Sequence, residues 1–474
     1  MNRQEKYLLF FFLSVILLLR LYHLDVAPIE IEESWRQADT QSIAKNYADY
    51  DFNLFHPNLN YDGPFPNIPA LEIQVTTFLI AILYKVFGHY YFLARMVPIA
   101  FFMISAFYLY RYVRKHLGYK EAVFSLFVYG ILPINLYYSR AIMPESAALM
   151  FWIGGFYYFH EWAEERKLHR LIISCVLLSL AIMTKPPVII IGIPMLYICC
   201  KNFGWRWLKF PELWVYALLT IALPFLYYYY SVSIAEYKFA LGITNNIILK
   251  KAFSAFHSPE AFSFYTNVIP KMLSMTGTIF VFAGIWAIAR KNSVILVWFL
   301  AMVLEVILIV SAIRASYYLI FFAVPCSILI GNLLAIIFDH PQGKIVSVVL
   351  MLVIVLESYY LVEPMYTINT AMKTQVTVVE QITQKEDLLV VGSLDPCLLS
   401  LSNRRGWRFD IGIYSHIPQD SYEELAYYIE EGAKYFVPIQ GKVYGDEDER
   451  FLKYLESRFK KIEPVQDFPI YVLE

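Results

Sequence analysis

The sequence predicts an all-α polytopic membrane protein that ends in a small α/β domain, and three observations lead to this fold class. Of the 474 residues, 58% are hydrophobic and 17% are charged, whereas a soluble domain is about 45–50% apolar and about 25% charged. The apolar residues gather in runs long enough to cross a bilayer. The C-terminal stretch is more polar and alternates between strand-like and helix-like patterns. This composition excludes a soluble enzyme, and the net charge of −1 provides no basic field for nucleic acid.

Eleven apolar runs are predicted to span the membrane. The first, Tyr7–Tyr22, follows the basic residues Arg3 and Lys6 and is interpreted as a signal anchor, because no small-residue cleavage site follows it. The other runs lie near 92–113, 121–138, 143–161, 169–184, 186–200, 211–230, 271–289, 293–312, 315–337 and 344–362.

The distribution of basic residues orients these spans. With the N-terminus in the cytoplasm, the cytoplasmic segments hold fifteen Lys and Arg residues, and the short outer connections hold three, Arg140, Lys185 and Arg314. An even number of spans would break this alternation. The chain is therefore predicted to lie in the cytoplasmic (inner) membrane, with a cytoplasmic N-terminus and an extracytoplasmic C-terminal domain.

Two domains follow from this topology. Residues 1–362 form the transmembrane domain, whose first outer loop, 25–91, is predicted to place two helices on the membrane surface, Ser34–Tyr47 and Leu71–Phe87. Residues 363–474 form the outer α/β domain. Its predicted strands and helices are Asp387–Gly392, Ser421–Glu431, Tyr435–Pro438, Glu449–Phe459 and Phe468–Leu473.

Charged residues near the outer ends of the spans mark the candidate site, because a charge at membrane depth is costly to bury. They are Glu32, Glu33, Arg36, Asp39, Glu72, Arg95, Arg140, Glu145, Lys185 and Arg314. On a helix, Glu32, Arg36 and Asp39 share one face. A carboxylate held beside an arginine stays ionised, which suits a general base or an acceptor-binding group. A solvated helix with ordinary ion pairs is the alternative.

Other candidates are open to two interpretations. Arg140 and Glu145 either pair to orient a loop between two spans or take part in chemistry. Lys185 and Arg314 either bind a lipid phosphate as point charges or extend to the interface as ordinary long side chains. His257 is a weak candidate metal ligand, so no cofactor is assigned and a divalent metal is left open.

Several segments resemble the GT-C superfamily of membrane glycosyltransferases, in particular the protein O-mannosyltransferase-like (PMT-like) family and the aminoarabinose transferases that modify lipid A. Trp35–Thr40 spells Trp-Arg-Gln-Ala-Asp-Thr, a run that occurs in a bacterial branch of this family. Leu83–Gly88, Tyr137–Glu145 and Met183–Pro187 complete the resemblance, which covers roughly residues 1–340.

The resemblance implies a GT-C fold and a reaction. A sugar would pass from a polyprenyl-phosphate donor, of the undecaprenyl type, to an acceptor hydroxyl or phosphate on the outer face, with inversion at the anomeric carbon. Asp39 or Glu33 would act as the base, with Glu32 as the neighbouring candidate and Arg36 orienting the base. The expected phosphate-binding residues are Lys185, Arg140, Arg314 and Arg95, and the expected supporting residues are Glu145, Glu72 and Trp35.

The chain departs from the family pattern at three places, and at one of them Ser316 precedes Tyr317-Tyr318 where the family often has a His. Glu32-Glu33 stands where the family usually has Asp-Glu, and Glu72-Ile73-Gln74 stands where it usually has Lys-Pro-Pro. Two other functions stay open: a polyprenyl-lipid or glycan transporter or flippase, and a non-catalytic relative that only binds the lipid. Transporters tend to carry internal repeats and polar sites at the midplane, whereas this sequence shows no repeat and few mid-span charges, Glu305 being the clearest. The sugar is left open, as is the acceptor, which is a lipid, glycan or protein.

Overall fold

The computed structural model describes residues 3–235, 247–412, 414 and 416–473. The described residues up to 362 form a helical bundle, and the described residues after them include an α/β layer beside the first loop. Helices α1 to α10 are Arg3–Leu18, Ser34–Asp49, Val75–Phe87, Tyr91–His116, Tyr119–Ile131, Pro133–Tyr138, Glu145–Glu165, Leu168–Thr184, Gly192–Phe203 and Pro211–Ile234. Helices α11 to α14 are Met275–Lys291, Ser293–Glu305, Leu319–Asp339 and Gly343–Val362.

Each predicted span coincides with a helix or a pair of helices. Among the described residues, six helical segments are long and apolar enough to cross a membrane, and seven if a pair bent by 98° counts as one span. The chain is therefore a multi-pass membrane protein, and the number eleven stays a prediction. The predicted span 121–138 is interrupted, because Leu132 precedes a proline and adopts an extended conformation between α5 and α6.

Helix α13 lies at the centre of the bundle and is buried along most of its length. It packs against α5, α11 and α12. A glycine permits the closest of these approaches, because a Cβ at Gly331 would lie 2.4 Å from the backbone nitrogen of Ser125 on α5. Backbone atoms cannot rotate out of the way, so the helices themselves would have to separate.

The substitution Gly331→Ala should therefore destabilise the bundle by about 1–3 kcal/mol, the usual cost of overpacking a tight core. The measurement is the apparent Tm of the purified protein in detergent. Gly192→Ala is the matched control, because a methyl group there has no atom within 4 Å. An equal loss of stability in both variants would contradict the close α5–α13 contact.

The C-terminal domain is an α/β domain, as predicted. Helices α15 to α18 are Thr370–Ile382, Cys397–Leu401, Ser421–Glu430 and Arg450–Arg458, and strands β1 to β5 are Leu388–Gly392, Arg405–Arg408, Ala433–Pro438, Lys460–Ile462 and Ile470–Val472. The strand order is β2-β1-β3-β5-β4, with β1 parallel to both β2 and β3 and with β5 antiparallel to β3 and β4. The first loop covers the edge of β2, because Gly63 N donates to Gly406 O (3.1 Å) and Gly406 N donates to Asn60 O (3.2 Å).

The first loop differs from the predicted pair of surface helices. Helix α3 keeps an exposed apolar face, including Leu79, Ile82 and Val86, as expected at a membrane surface. Helix α2 is instead buried along most of its length, between α3 and the short helix α16. Its polar residues find protein partners in the first loop, the bundle and the C-terminal domain, such as Asn60 for Asn46, Arg95 for Gln37 and Ser400 for Asp39. The position of α2 on the membrane surface stays a prediction.

Candidate active site

Glu33 occupies a strained position at the start of α2. Its backbone is left-handed (φ 54°, ψ 35°), and its side chain does not cap the helix. Within the described residues, its carboxylate has no hydrogen-bond or ion-pair partner. Burial raises the pKa of Glu33 to about 7, the charges of Glu32 and Glu145 also raise it, and Arg36 and Lys185 lower it. These five side chains therefore form one electrostatic cluster, termed here the Glu33 cluster.

Each of the two cations in the Glu33 cluster is paired with its own carboxylate. Arg36 forms an ion pair with Glu72. Lys185, at the end of α8, pairs with Glu145 at the start of α7 over 2.5 Å, and both side chains are buried. Arg36 was expected to orient the catalytic base, but its direct partner is Glu72. Glu72 and Glu145, the two carboxylates predicted to support the site, are thus the counterions of Arg36 and Lys185.

Two adjacent tyrosines lie over Lys185. The Nζ atom is 5.1 Å from the ring centroid of Tyr317 and 5.1 Å from that of Tyr318, within range of a cation–π interaction. Sequence reasoning did not select these tyrosines. The available signal was a Tyr-Tyr pair at the outer end of a span.

Glu32 is held by the same part of the molecule. Its Oε1 accepts hydrogen bonds from Tyr138 (2.6 Å) and Ser316 (3.1 Å). Because α2 begins only at Ser34, Glu32 does not share a helix face with Arg36 and Asp39, contrary to the spacing argument. Glu32 is therefore a fixed carboxylate beside Glu33.

Asp39 is fully hydrogen-bonded. Its Oδ2 accepts from the Trp35 indole (2.9 Å) and the Tyr61 hydroxyl (3.0 Å), and its Oδ1 accepts from Ser400 (3.4 Å). Burial raises the pKa of Asp39 to about 7, and the Tyr61 hydrogen bond opposes this rise. Asp39 and Arg36, which both lie on α2, line one cleft together with Tyr61 and Gln74.

Arg95 and Arg140 lie in a different network, built on Glu30. Arg140 Nη1 is 3.1 Å from Glu30 Oε1, Arg95 Nη2 is 3.3 Å from Glu30 Oε2, and none of the three side chains is exposed. The suggested pairing of Arg140 with Glu145 is wrong, because Glu145 pairs with Lys185. Sequence reasoning also missed Glu30, which is the common partner of both arginines. Phosphate binding by Arg95 and Arg140 stays a prediction, and both guanidinium groups are already engaged by Glu30.

Arg314 and His257 contact residues outside the Glu33 cluster. Arg314 is partly exposed and lies 3.8 Å from Glu260 Oε2. The His257 ring contacts that of Phe256. In the described part of the chain, the group of three side chains spaced to hold a metal ion does not include His257.

A buried ion pair joins the first loop to the C-terminal domain. Arg408 on β2 donates from Nε (2.9 Å) and Nη2 (2.5 Å) to the two oxygens of Asp62. Its guanidinium carbon also lies 4.8 Å from the centroid of Tyr61, the residue that donates to Asp39. The C-terminal domain thus holds the wall of the cleft through both Arg408 and Ser400.

Known proteins share this architecture. The crystal structure of ArnT from Cupriavidus metallidurans bound to undecaprenyl phosphate matches with a TM-score of 0.67 and 12% identity, covering 98% of this chain and 97% of that chain. The chain has the GT-C fold. The predicted fold class is therefore confirmed, both for the helical bundle and for the small C-terminal sheet.

Three further findings concern this chain. Archaeal oligosaccharyltransferase AglB from Archaeoglobus fulgidus, in complex with an inhibitory peptide and a dolichol-phosphate, matches with a TM-score of 0.60 and 11% identity, over 92% of this chain and 70% of that chain. Residues 74–229 match the family model for dolichyl-phosphate-mannose-protein mannosyltransferase. No curated protein sequence matches the chain. The matched family segment contains Glu145 and Lys185 of the Glu33 cluster.

Proposed function

We propose that this protein is an inverting glycosyltransferase that moves a sugar from a polyprenyl-phosphate donor to an acceptor hydroxyl or phosphate. The observation that carries the proposal is Glu33, a carboxylate with a raised pKa and no partner among the described residues, in the electrostatic field of the buried Lys185 and the partly exposed Arg36. A carboxylate with a pKa near the working pH suits general base catalysis. The family-model match and the lipid phosphates bound by both structural relatives support the same class of reaction.

Glu33 acts as the base in this proposal. It accepts the proton of the acceptor hydroxyl while the hydroxyl oxygen attacks the anomeric carbon. The bond between that carbon and the phosphate oxygen breaks on the opposite face, so configuration inverts and the electron pair leaves with the phosphate. Asp39 is assigned a different role, because its carboxylate already accepts three hydrogen bonds and shapes the cleft.

Lys185 and Arg36 bind the lipid phosphate in this proposal. Each cation is paired with a carboxylate, Arg36 with Glu72 and Lys185 with Glu145. A phosphate is negatively charged like these carboxylates and can therefore compete with them for the cations. Charge that develops on the leaving phosphate is stabilised best by cations fixed in a site of low dielectric. The rings of Tyr317 and Tyr318 hold Lys185 in place from the other side.

The proposed location is the outer face of the cytoplasmic membrane. The bias of basic residues to the opposite side of the bundle supports this orientation. The Glu33 cluster lies at the ends of α7 and α8 that connect outer segments in that topology.

The identity of donor and acceptor is tested in a strain that lacks the protein. We expect mass spectrometry of its surface glycans to show one missing sugar, restored by the wild-type gene and not by a Glu33→Gln gene. The sugar so identified is then supplied as its undecaprenyl-phosphate derivative to the purified protein in proteoliposomes. An unchanged glycan profile together with no transfer would reject the proposed function.

The pH dependence of transfer follows from Glu33. A base works only when deprotonated, and burial raises the pKa of Glu33 to about 7, so the rate should rise with pH through about 7 and then level. The rate is measured in proteoliposomes with the same buffer on both sides of the membrane. Lys185→Met removes a cation that lowers this pKa, so any residual activity should require a higher pH. A rate that falls as pH rises from 6 to 8 would contradict the assignment.

A further inference from the structure

We infer that the protein has a divalent metal site at the end of the bundle opposite the Glu33 cluster, formed by His116, His160 and Glu164. Each of these residues offers one ligand atom, and the three atoms lie within 4.8 Å of one another. His116 ends α4, and His160 and Glu164 lie one turn apart on α7. His160 is fifteen residues beyond Glu145, which is about 22 Å along the helix.

The ligand atoms face one another without hydrogen bonds between them. The Oε1 atom of Glu164 lies 3.7 Å from Nδ1 of His116 and 3.9 Å from Nε2 of His160. Both separations are too long for a hydrogen bond. They are close to the spacing of atoms that share one ion at ligand bonds of about 2.0–2.2 Å. The Nε2 atom of His116 is buried and has no hydrogen-bond partner among the described residues. Burying a polar atom in this way costs free energy unless another group binds it.

The surroundings resemble the outer shell of a metal site. Nδ1 of His160 is 3.3 Å from the Tyr112 hydroxyl. In the tautomer that donates to Tyr112, Nε2 presents its lone pair toward Glu164, and such a hydrogen bond commonly orients a ligating histidine. The second oxygen of Glu164 is 2.6 Å from Lys115, which also pairs with Glu161. That oxygen has its own partner, so Oε1 is the one that remains for an ion.

One ring must turn for the ion to bind. The imidazoles of His116 and His160 stack with centroids 4.1 Å apart and planes 9° apart, and a metal lies in the plane of each imidazole that ligates it. His116 is the ring that would turn, because it is the last residue of its helix and has no hydrogen bond at Nε2, whereas His160 is held by Tyr112. The turn would also move the His116 ring off that of Tyr112, which it now contacts. Two imidazoles, one carboxylate and water on the exposed side of Glu164 suit Zn²⁺ or a similar late first-row ion.

The test is a titration of the tag-free, chelator-treated protein with Zn²⁺ and with Co²⁺. His160→Asn and Glu164→Gln should each weaken binding at least about tenfold, the lower limit seen when even an outer-shell partner is lost. His169→Asn and Glu165→Gln are matched controls at the same end of the bundle, because both residues are exposed and neither belongs to the cluster. Equal binding by all variants, or none by the wild type, would overturn the inference.

A second measurement needs only the wild type and therefore does not depend on folding of the variants. Zinc-edge X-ray absorption should show two imidazole nitrogens and oxygen ligands at about 2.0–2.2 Å. A sulfur-containing shell or a single imidazole would place the ion elsewhere and reject this site.

Discussion

Glu33→Gln is expected to lower kcat of sugar transfer by about 10²–10⁴-fold, the range that a general base contributes. The substitution keeps the size of the side chain and removes its ability to accept a proton. Binding of undecaprenyl phosphate should change little, because Lys185 and Arg36 carry that role in the proposal. Transfer is measured in proteoliposomes, and lipid binding is measured separately by native mass spectrometry.

Two variants control this result. Asp39→Asn should reduce kcat less than Glu33→Gln does, because Asp39 is saturated by Trp35, Tyr61 and Ser400. Glu447→Gln, on the exposed surface of the C-terminal domain, should behave as the wild type. A greater loss in Asp39→Asn would transfer the role of base to Asp39.

Glu30→Gln is expected to be the most damaging change for stability, with a loss of about 3–5 kcal/mol, the usual cost of removing one partner from a buried ion pair. Glu30 is the shared counterion of Arg95 and Arg140, and all three side chains are fully buried. Its replacement leaves two buried positive charges without a negative one. The measurement is the apparent Tm of the detergent-purified protein.

Variants of Arg140 test whether the uncompensated charges in the Glu30 network cause the loss of stability. Arg140→Met leaves Arg95 and Glu30 as a neutral pair, so it should destabilise the protein less than Glu30→Gln does. Adding Arg140→Met to Glu30→Gln removes one of the two uncompensated charges and should recover part of the lost Tm. A double variant that is less stable than Glu30→Gln alone would show that charge is not the main cause.

The helices of the bundle could be predicted from the sequence because hydropathy and charge are local properties. The starts of α4, α7 and α8 fall within a few residues of the predicted span boundaries. The pairing of the charges could not be predicted in the same way. Arg140 and Glu30 are 110 residues apart in the chain, and Glu30 was one of several acidic residues in one segment.

Only part of the sheet could be predicted, because only some of its strands have a local apolar pattern. Strands β1, β3 and β5 contain apolar runs and were expected, whereas β2 reads Arg-Gly-Trp-Arg and has no such run. The arginine at the end of β2 has a clear role only in the folded chain, where Arg408 donates a hydrogen bond to Asp62. Two of the three hydrogen-bond partners of Asp39, Tyr61 and Ser400, are distant in the chain, so the local sequence could not predict these contacts.

The docking of the C-terminal domain on the first loop also bears on how such proteins can be recombined. Arg408 with Asp62, and Ser400 with Asp39, tie residues far apart in the chain into one contact surface. Exchanging the C-terminal domain alone between relatives would mismatch these partners and alter the cleft lined by Arg36, Asp39 and Tyr61. Residues 25–91 and 363–474 should therefore be exchanged together in any chimera that is made to change acceptor preference.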